Sequence, residues 1–134
     1  MLLDEQNTEN DYKRLSFGLE SEVLIGACYE KSENNEMYFT LGEGLFGSDN
    51  EGYRASMVIF MELLMRRHCE VTRSVHDMSL KSLNVDYVAT SPSNFISGST
   101  GVVHKAKELF FMKALLHSKD SLVMSGTAVW SFAS

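Results

Sequence analysis

The sequence predicts an α+β fold in which an antiparallel sheet of five to six strands wraps around one long central helix. Three observations predict it. One stretch, Tyr53 to about Cys69, has a helical period and is apolar around most of its circumference. Nearly everything after it alternates with the period of a strand. Before it, a polar turn joins two short alternating runs, the pattern of a hairpin. Helix and strands are thus segregated along the chain, which favours an antiparallel sheet over parallel β-α-β units.

The elements follow in order. Asp4 to Leu15 is polar with sparse apolar positions and reads as a short, weakly held N-terminal helix, so residues 1–15 form an extension of a single domain spanning 1–134. Leu19 to Tyr29 is a strand candidate, with Val23, Ile25 and Ala27 alternating against Leu24 and Cys28. Glu33-Asn34-Asn35-Glu36 is a turn, and Met37 to Leu41 returns from it. Gly44 to Gly52 is glycine-rich, and Ser48, Asp49 and Asn50 are each able to cap the helix that follows. Within that helix, Met57, Phe60 and Leu64 point away from Glu62, while Val58, Ile59 and Met65 lie beside it. Ser79–Val88, Phe95–His104, Leu109–His117 and Leu122–Phe132 are the later strands. In the last, Leu122, Met124, Gly126, Ala128, Trp130 and Phe132 share one face, and Val123, Ser125, Thr127, Val129 and Ser131, mostly small and polar, share the other. Ser118-Lys119-Asp120 makes the tight turn before it.

Composition bounds the function. A chain of 134 residues buries a real core without staples, and its 44 % apolar and 22 % charged residues are ordinary for a globule. No apolar run reaches the length of a membrane helix. MLLDEQNTEND lacks the basic and apolar regions of a signal peptide, so a cytoplasmic protein is expected. Cys28 and Cys69 have no metal or redox spacing and read as reduced thiols. A net charge of −6 argues against generic nucleic-acid binding. It leaves room for an anionic small ligand held by local lysines. His68, His76, His104 and His117 show no metal spacing, and no phosphate loop or dinucleotide fingerprint is present.

Four segments, in order, resemble the hot-dog-fold thioesterases of the phenylacetate-pathway and acyl-CoA thioesterase branch. ASMVIFMELLM (Ala55–Met65) is similar to that family's helix, with Glu62 at the acid position. LNVDYVATSP (Leu83–Pro92) is similar to the strand after the helix, HKAKELFF (His104–Phe111) to a basic turn and strand, and LVMSGTAVW (Leu122–Trp130) to the final strand. The resemblance covers roughly residues 15 to 133. It departs at the helix opening, where Tyr53-Arg54-Ala55 stands in place of His-Gly-Gly.

The resemblance implies a hydrolase that cleaves an acyl thioester to a free acid and a thiol without a metal or a cofactor, coenzyme A being part of the substrate. Glu62 would activate water or attack directly; a carboxylate against apolar walls is the stronger base. Against this stands an ordinary i,i+4 ion pair of Glu62 with Arg66. Asn50 and a backbone N–H of Arg54 or Ala55, at the helix N-terminus, would hold the oxyanion. Ser79 and Ser82 would face the acid from the following strand, the alternative being two surface serines. Lys105 and Lys107, with Thr90 and Ser91, would hold the coenzyme, the alternative being a solvated hairpin end. The family builds its sites between subunits, so a homodimer, or a tetramer as a dimer of dimers, is expected. The competing reading is a non-catalytic hot-dog protein that binds an acyl ligand or a partner, and the altered helix opening supports it. A hydratase on the same fold ranks lower, because Asp49-Asn50-Glu51-Gly52 lacks the proline and histidine such sites carry.

Overall fold

The computed structural model describes residues 13–15, 28–33, 36–41, 50–88 and 96–133. Its elements are β1 (Lys13–Leu15), β2 (Cys28–Glu33), β3 (Glu36–Leu41), α1 (Asn50–Arg73), β4 (Met78–Tyr87), β5 (Ile96–Ala106), β6 (Leu109–Ser118) and β7 (Ser121–Phe132). The described strands form one sheet in the order β1-β2-β3-β5-β6-β7-β4. Every neighbouring pair is antiparallel. The strand after the helix, β4, crosses to the far edge and pairs only with β7 among them.

The described strands number seven, above the expected five to six, because Lys13–Leu15 is not helical. It pairs with Cys28–Glu30 of β2 as a short edge strand. A single isolated helical turn is unstable whatever its propensity, and the segment gains more by pairing with the hydrogen-bonding edge of β2. The rest of the 1–15 segment, and the strand expected over 19–27, lie outside the described residues.

Alternation sets the faces of the long strands. In β6, Phe110, Met112, Ala114 and Leu116 are buried, and the residues between them are not. In β7, Met124, Gly126, Ala128, Trp130 and Phe132 make the buried face, as the sequence pattern requires. At the start of the strand the expected faces are exchanged: Val123 is buried and Leu122 only half-buried, because the register slips between Leu116 and His117. Two hairpins close on two-residue turns whose first residue has a positive φ, Lys107 (50°) and Lys119 (57°).

The helix begins and ends beyond the apolar pattern. It starts at Asn50 and runs 24 residues to Arg73. Ser74 then turns left-handed (φ 55°), and the Val75 N–H reaches back to the Cys69 carbonyl (3.2 Å) to close the final turn. Met57, Phe60, Met61, Leu64, Met65 and Cys69 form its buried stripe and meet the inner face of the sheet. Val58, Ile59 and Leu63, on the other side, are only partly covered. The buried Trp130 indole N–H donates to the Met65 sulfur (3.3 Å). A forked ion pair ties the helix to β2: Arg67 Nε and Nη2 donate to the two Glu30 oxygens at 2.7 and 2.9 Å. At the far end of the core the Phe110 and Phe132 rings stack (4.1 Å between centroids), with Arg73 over the first and Lys105 over the second.

Candidate functional site

Two arginines tie the helix to the two ends of the edge strand. The Arg54 guanidinium sits 4.9 Å from the centre of the Tyr87 ring, at the end of β4. Arg66 donates to the Met78 carbonyl (3.0 Å), at the start of β4, and lies over the Trp130 ring (5.0 Å). The helix therefore runs opposite to β4, and Glu62 stands between the two anchors. It is half-buried beside Val58, Ile59 and Leu63. Among the described residues Glu62 has no hydrogen-bond or ion-pair partner. Its i,i+4 neighbour Arg66 is committed to a carbonyl and a ring instead, so the ion pair weighed from spacing does not form.

The helix start changes the expected oxyanion donors. In an α-helix the first four N–H groups lack an internal acceptor. With Asn50 already helical, the unpaired amides belong to the stretch ending at Gly52, and those of Arg54 and Ala55 join the internal ladder. Arg54 and Ala55 are both exposed, so neither walls a closed pocket in this chain. Asn50 keeps its place at the terminus. The apolar period first becomes clear at Tyr53, and the signal for the earlier start is the run of capping residues Ser48, Asp49 and Asn50.

The serines fall on the wrong face. Ser79 pairs with Ser131 and Ser82 with Val129, both outward positions of β7. Directly opposed residues of an antiparallel pair share a face, so both serines point away from the helix. Leu80, Leu83 and Val85 are the β4 residues packed against the core. A register shift between Leu80 and Ser82 lets Ser79 and Ser82 share that outer face despite their odd spacing.

Lys105 and Lys107 are exposed at the β5–β6 hairpin. Lys105 pairs across the hairpin with Phe110, whose ring lies under Arg73, so both lysines stand near the C-terminal end of the helix. Arg54 and Arg73 are about 28 Å apart along the axis, and Glu62 is roughly 16 Å from Arg73. Within one protomer the lysines thus lie nearer to Glu62 than to the helix opening, at a distance suited to the arm of a long ligand. Thr90 and Ser91 lie outside the described residues.

Two further titratable groups of the helix, Cys69 and His68, are buried. Burial pushes the Cys69 thiol up to about 11, and its Sγ rests 3.7 Å from the Met112 sulfur, an unreactive environment. Burial, then the charge of Arg73, lowers the His68 pKa, and its Nδ1 has no hydrogen-bond partner among the described residues. Among those residues no helix is long and apolar enough to cross a membrane.

No family model matches the sequence, and no curated protein matches it. Solved structures do match the fold. A conserved protein of Pseudomonas aeruginosa superposes with a TM-score of 0.73 at 15 % identity, over 87 % of this chain and 95 % of its own. A Bacillus halodurans protein solved with CoA gives 0.70 at 13 %, over 90 % and 82 %. A phenylacetic acid degradation-related protein of Ralstonia eutropha, with a provisional thioesterase assignment, gives 0.64 at 10 %, over 90 % and 83 %. The chain shares the hot-dog fold of these proteins.

Proposed function

We propose that the chain is an acyl-CoA thioesterase-like hydrolase whose catalytic carboxylate is Glu62. One observation carries the reading: an acid is held half-buried among apolar side chains while the arginine one turn away is engaged elsewhere. An acid whose role was to pair on a solvated stripe would be expected to meet that arginine. Here Glu62 is left open to water and substrate. The CoA held by the Bacillus halodurans protein, on the same fold, supports a coenzyme A thioester as substrate.

In this mechanism Glu62 takes a proton from water as the oxygen adds to the thioester carbonyl. The carbonyl π electrons move onto oxygen and form an oxyanion. Collapse of that intermediate breaks the carbon–sulfur bond, and the proton held by Glu62 passes to the departing thiolate. The products are a free acid and a thiol, and Glu62 is regenerated. No step requires a metal. Direct attack by Glu62 would instead give an anhydride that water then opens; the two routes share the residue.

The oxyanion donors come from a second copy. The unpaired amides ending at Gly52 lie about 15 Å from Glu62 along the same helix, too far to serve one carbonyl. A second protomer brings its helix N-terminus to the Glu62 of the first. The edge of β4 that no described strand covers supplies the pairing surface for a homodimer. Lys105 and Lys107 hold the coenzyme phosphates by charge in an otherwise acidic protein, and a dimer of dimers is compatible with the outer sheet face. The same reading places the protein in the cytoplasm.

The test is free-thiol release from short, medium, long and aryl acyl-CoAs, with wild type beside Glu62→Ala. Turnover of one class, lost in the variant, is the expected result. Absence of turnover with every thioester overturns the hydrolase and leaves the non-catalytic acyl-ligand binder. Turnover that survives Glu62→Ala keeps the enzyme and discards this mechanism.

A further inference from the structure

We propose that this site selects acyl groups ending in a carboxylate, with the Arg54 guanidinium, held over the Tyr87 ring, as the receiving cation. The inference rests on the hydrolase reading for the position of the thioester carbon, and it adds the class of acyl group. Arg54 and Arg66 flank Glu62 along one side of the helix, and both are laid against an aromatic ring. Their remaining bonds differ. Arg66 is satisfied by the Met78 carbonyl. Arg54 is exposed and, among the described residues, has no hydrogen-bond acceptor and no carboxylate partner.

Contact with the Tyr87 ring restrains the guanidinium, and with no acceptor among the described residues its N–H groups remain available to bind a carboxylate with two parallel hydrogen bonds. Its place on the helix matters too. Arg54 stands near the N-terminus, the end where a cation is disfavoured and an anion is stabilised. A carboxylate bound there meets the guanidinium and the positive end of the helix together. Acids outnumber bases by 18 to 12 in this chain, yet among the described residues no carboxylate is set against this arginine. The span also fits. Eight residues separate Arg54 from Glu62, about 12 Å of helix rise. The two side chains take up part of that distance, and an acyl chain of about four to six carbons fills the rest.

The test compares acyl-CoAs matched in length and differing only at the far end: glutaryl-CoA, its monomethyl ester and valeryl-CoA. Wild type is expected to favour glutaryl-CoA in kcat/KM by about tenfold or more, the worth of a charge-assisted hydrogen bond. Arg54→Gln should bring that ratio close to one. Arg54→Lys should keep part of it, and Tyr87→Leu, which frees the guanidinium, should reduce it. A ratio unchanged by Arg54→Gln overturns the proposal. So does an equal rise in KM for all three thioesters, which would assign Arg54 to the coenzyme. The same ratio is read as binding by calorimetry in a Glu62→Gln background, so the answer does not depend on turnover. Glu62-dependent hydrolysis without a carboxylate preference sinks this inference and leaves the hydrolase. Preferential binding of glutaryl-CoA with no hydrolysis sinks the hydrolase and leaves the preference.

Discussion

Gly98 tests how tightly the helix is seated on the sheet. It lies in β5, paired with Leu116 of β6, under the buried stripe of α1. A Cβ built there would stand 2.7 Å from Leu64 Cδ2, 2.8 Å from Leu116 Cδ2 and 3.4 Å from Phe60 Cε2. Carbon pairs are comfortable only at about 3.5 to 4.0 Å. All three neighbours are 0 % exposed, so none has free space to retreat into. Overpacking of this kind costs about 1 to 3 kcal/mol. Removing a glycine from a strand returns roughly 0.5 to 1 kcal/mol. Gly98→Ala is therefore expected to destabilise by about 1 to 2 kcal/mol, lowering the melting temperature by roughly 4 to 7 °C for a chain of this size. Thermal and urea unfolding read it directly. Gly101→Ala is the control: it is in the same strand, and nothing lies within 4 Å of its would-be Cβ. That variant should be neutral or slightly stabilising. Adding Leu116→Val to Gly98→Ala should recover part of the loss, a coupling of about 0.5 kcal/mol or more. If Gly98→Ala proves as stable as Gly101→Ala, the close seating of the helix is refuted.

Other expectations follow from named contacts. Arg67→Met should cost about 1 kcal/mol by removing the forked pair with Glu30, and a double-mutant cycle with Glu30→Gln should show a coupling that shrinks with added salt; zero coupling at low salt would deny the pair a role. His68 is held below its ordinary pKa of 6.5, so the folded chain prefers it neutral while the unfolded chain takes up the proton. Its contribution to stability is thus full above that pH and is lost as pH falls below it. His68→Leu should flatten the stability profile as pH falls below that value, and an unchanged slope would show that other groups set it. Ser74→Gly should stabilise by about 1 kcal/mol, because Ser74 ends the helix in the left-handed region (φ 55°); a lower melting temperature would contradict that geometry.

The parts of the fold legible in the sequence are those that local period encodes. The faces of Leu109–His117 and Leu122–Phe132, the turn at Lys119-Asp120, and the buried side of the helix at Met57, Phe60 and Leu64 all repeat at short range. What period does not encode is a slip in register. The shift between Leu80 and Ser82 decides which way the two serines point, and no residue type there announces it. Long-range partners are equally silent. Arg66 reads as a neighbour of Glu62 four residues back, yet its acceptor is the Met78 carbonyl, twelve residues on. Arg67 finds Glu30 across 37 residues. The acid of the candidate site was visible as one charge in an apolar run. That it is unpaired depended on where the sheet put the competing acceptors.

The order of the sheet sets a schedule for synthesis. β4 is made before β5, β6 and β7, yet its only neighbour among the described strands is the last of them. About 45 residues separate the end of β4 from the end of β7, which a ribosome adds in roughly 2 to 9 seconds. During that interval β4 has two unpaired edges and no place in the sheet. Its sequence, MSLKSLNVDY, fits such a wait: Lys81, Asn84 and Asp86 interrupt the apolar positions and make premature pairing with another chain unfavourable. The crossing that brings this strand beside the Glu62 helix thus also makes it the last of the four later strands to find its partner on a growing chain.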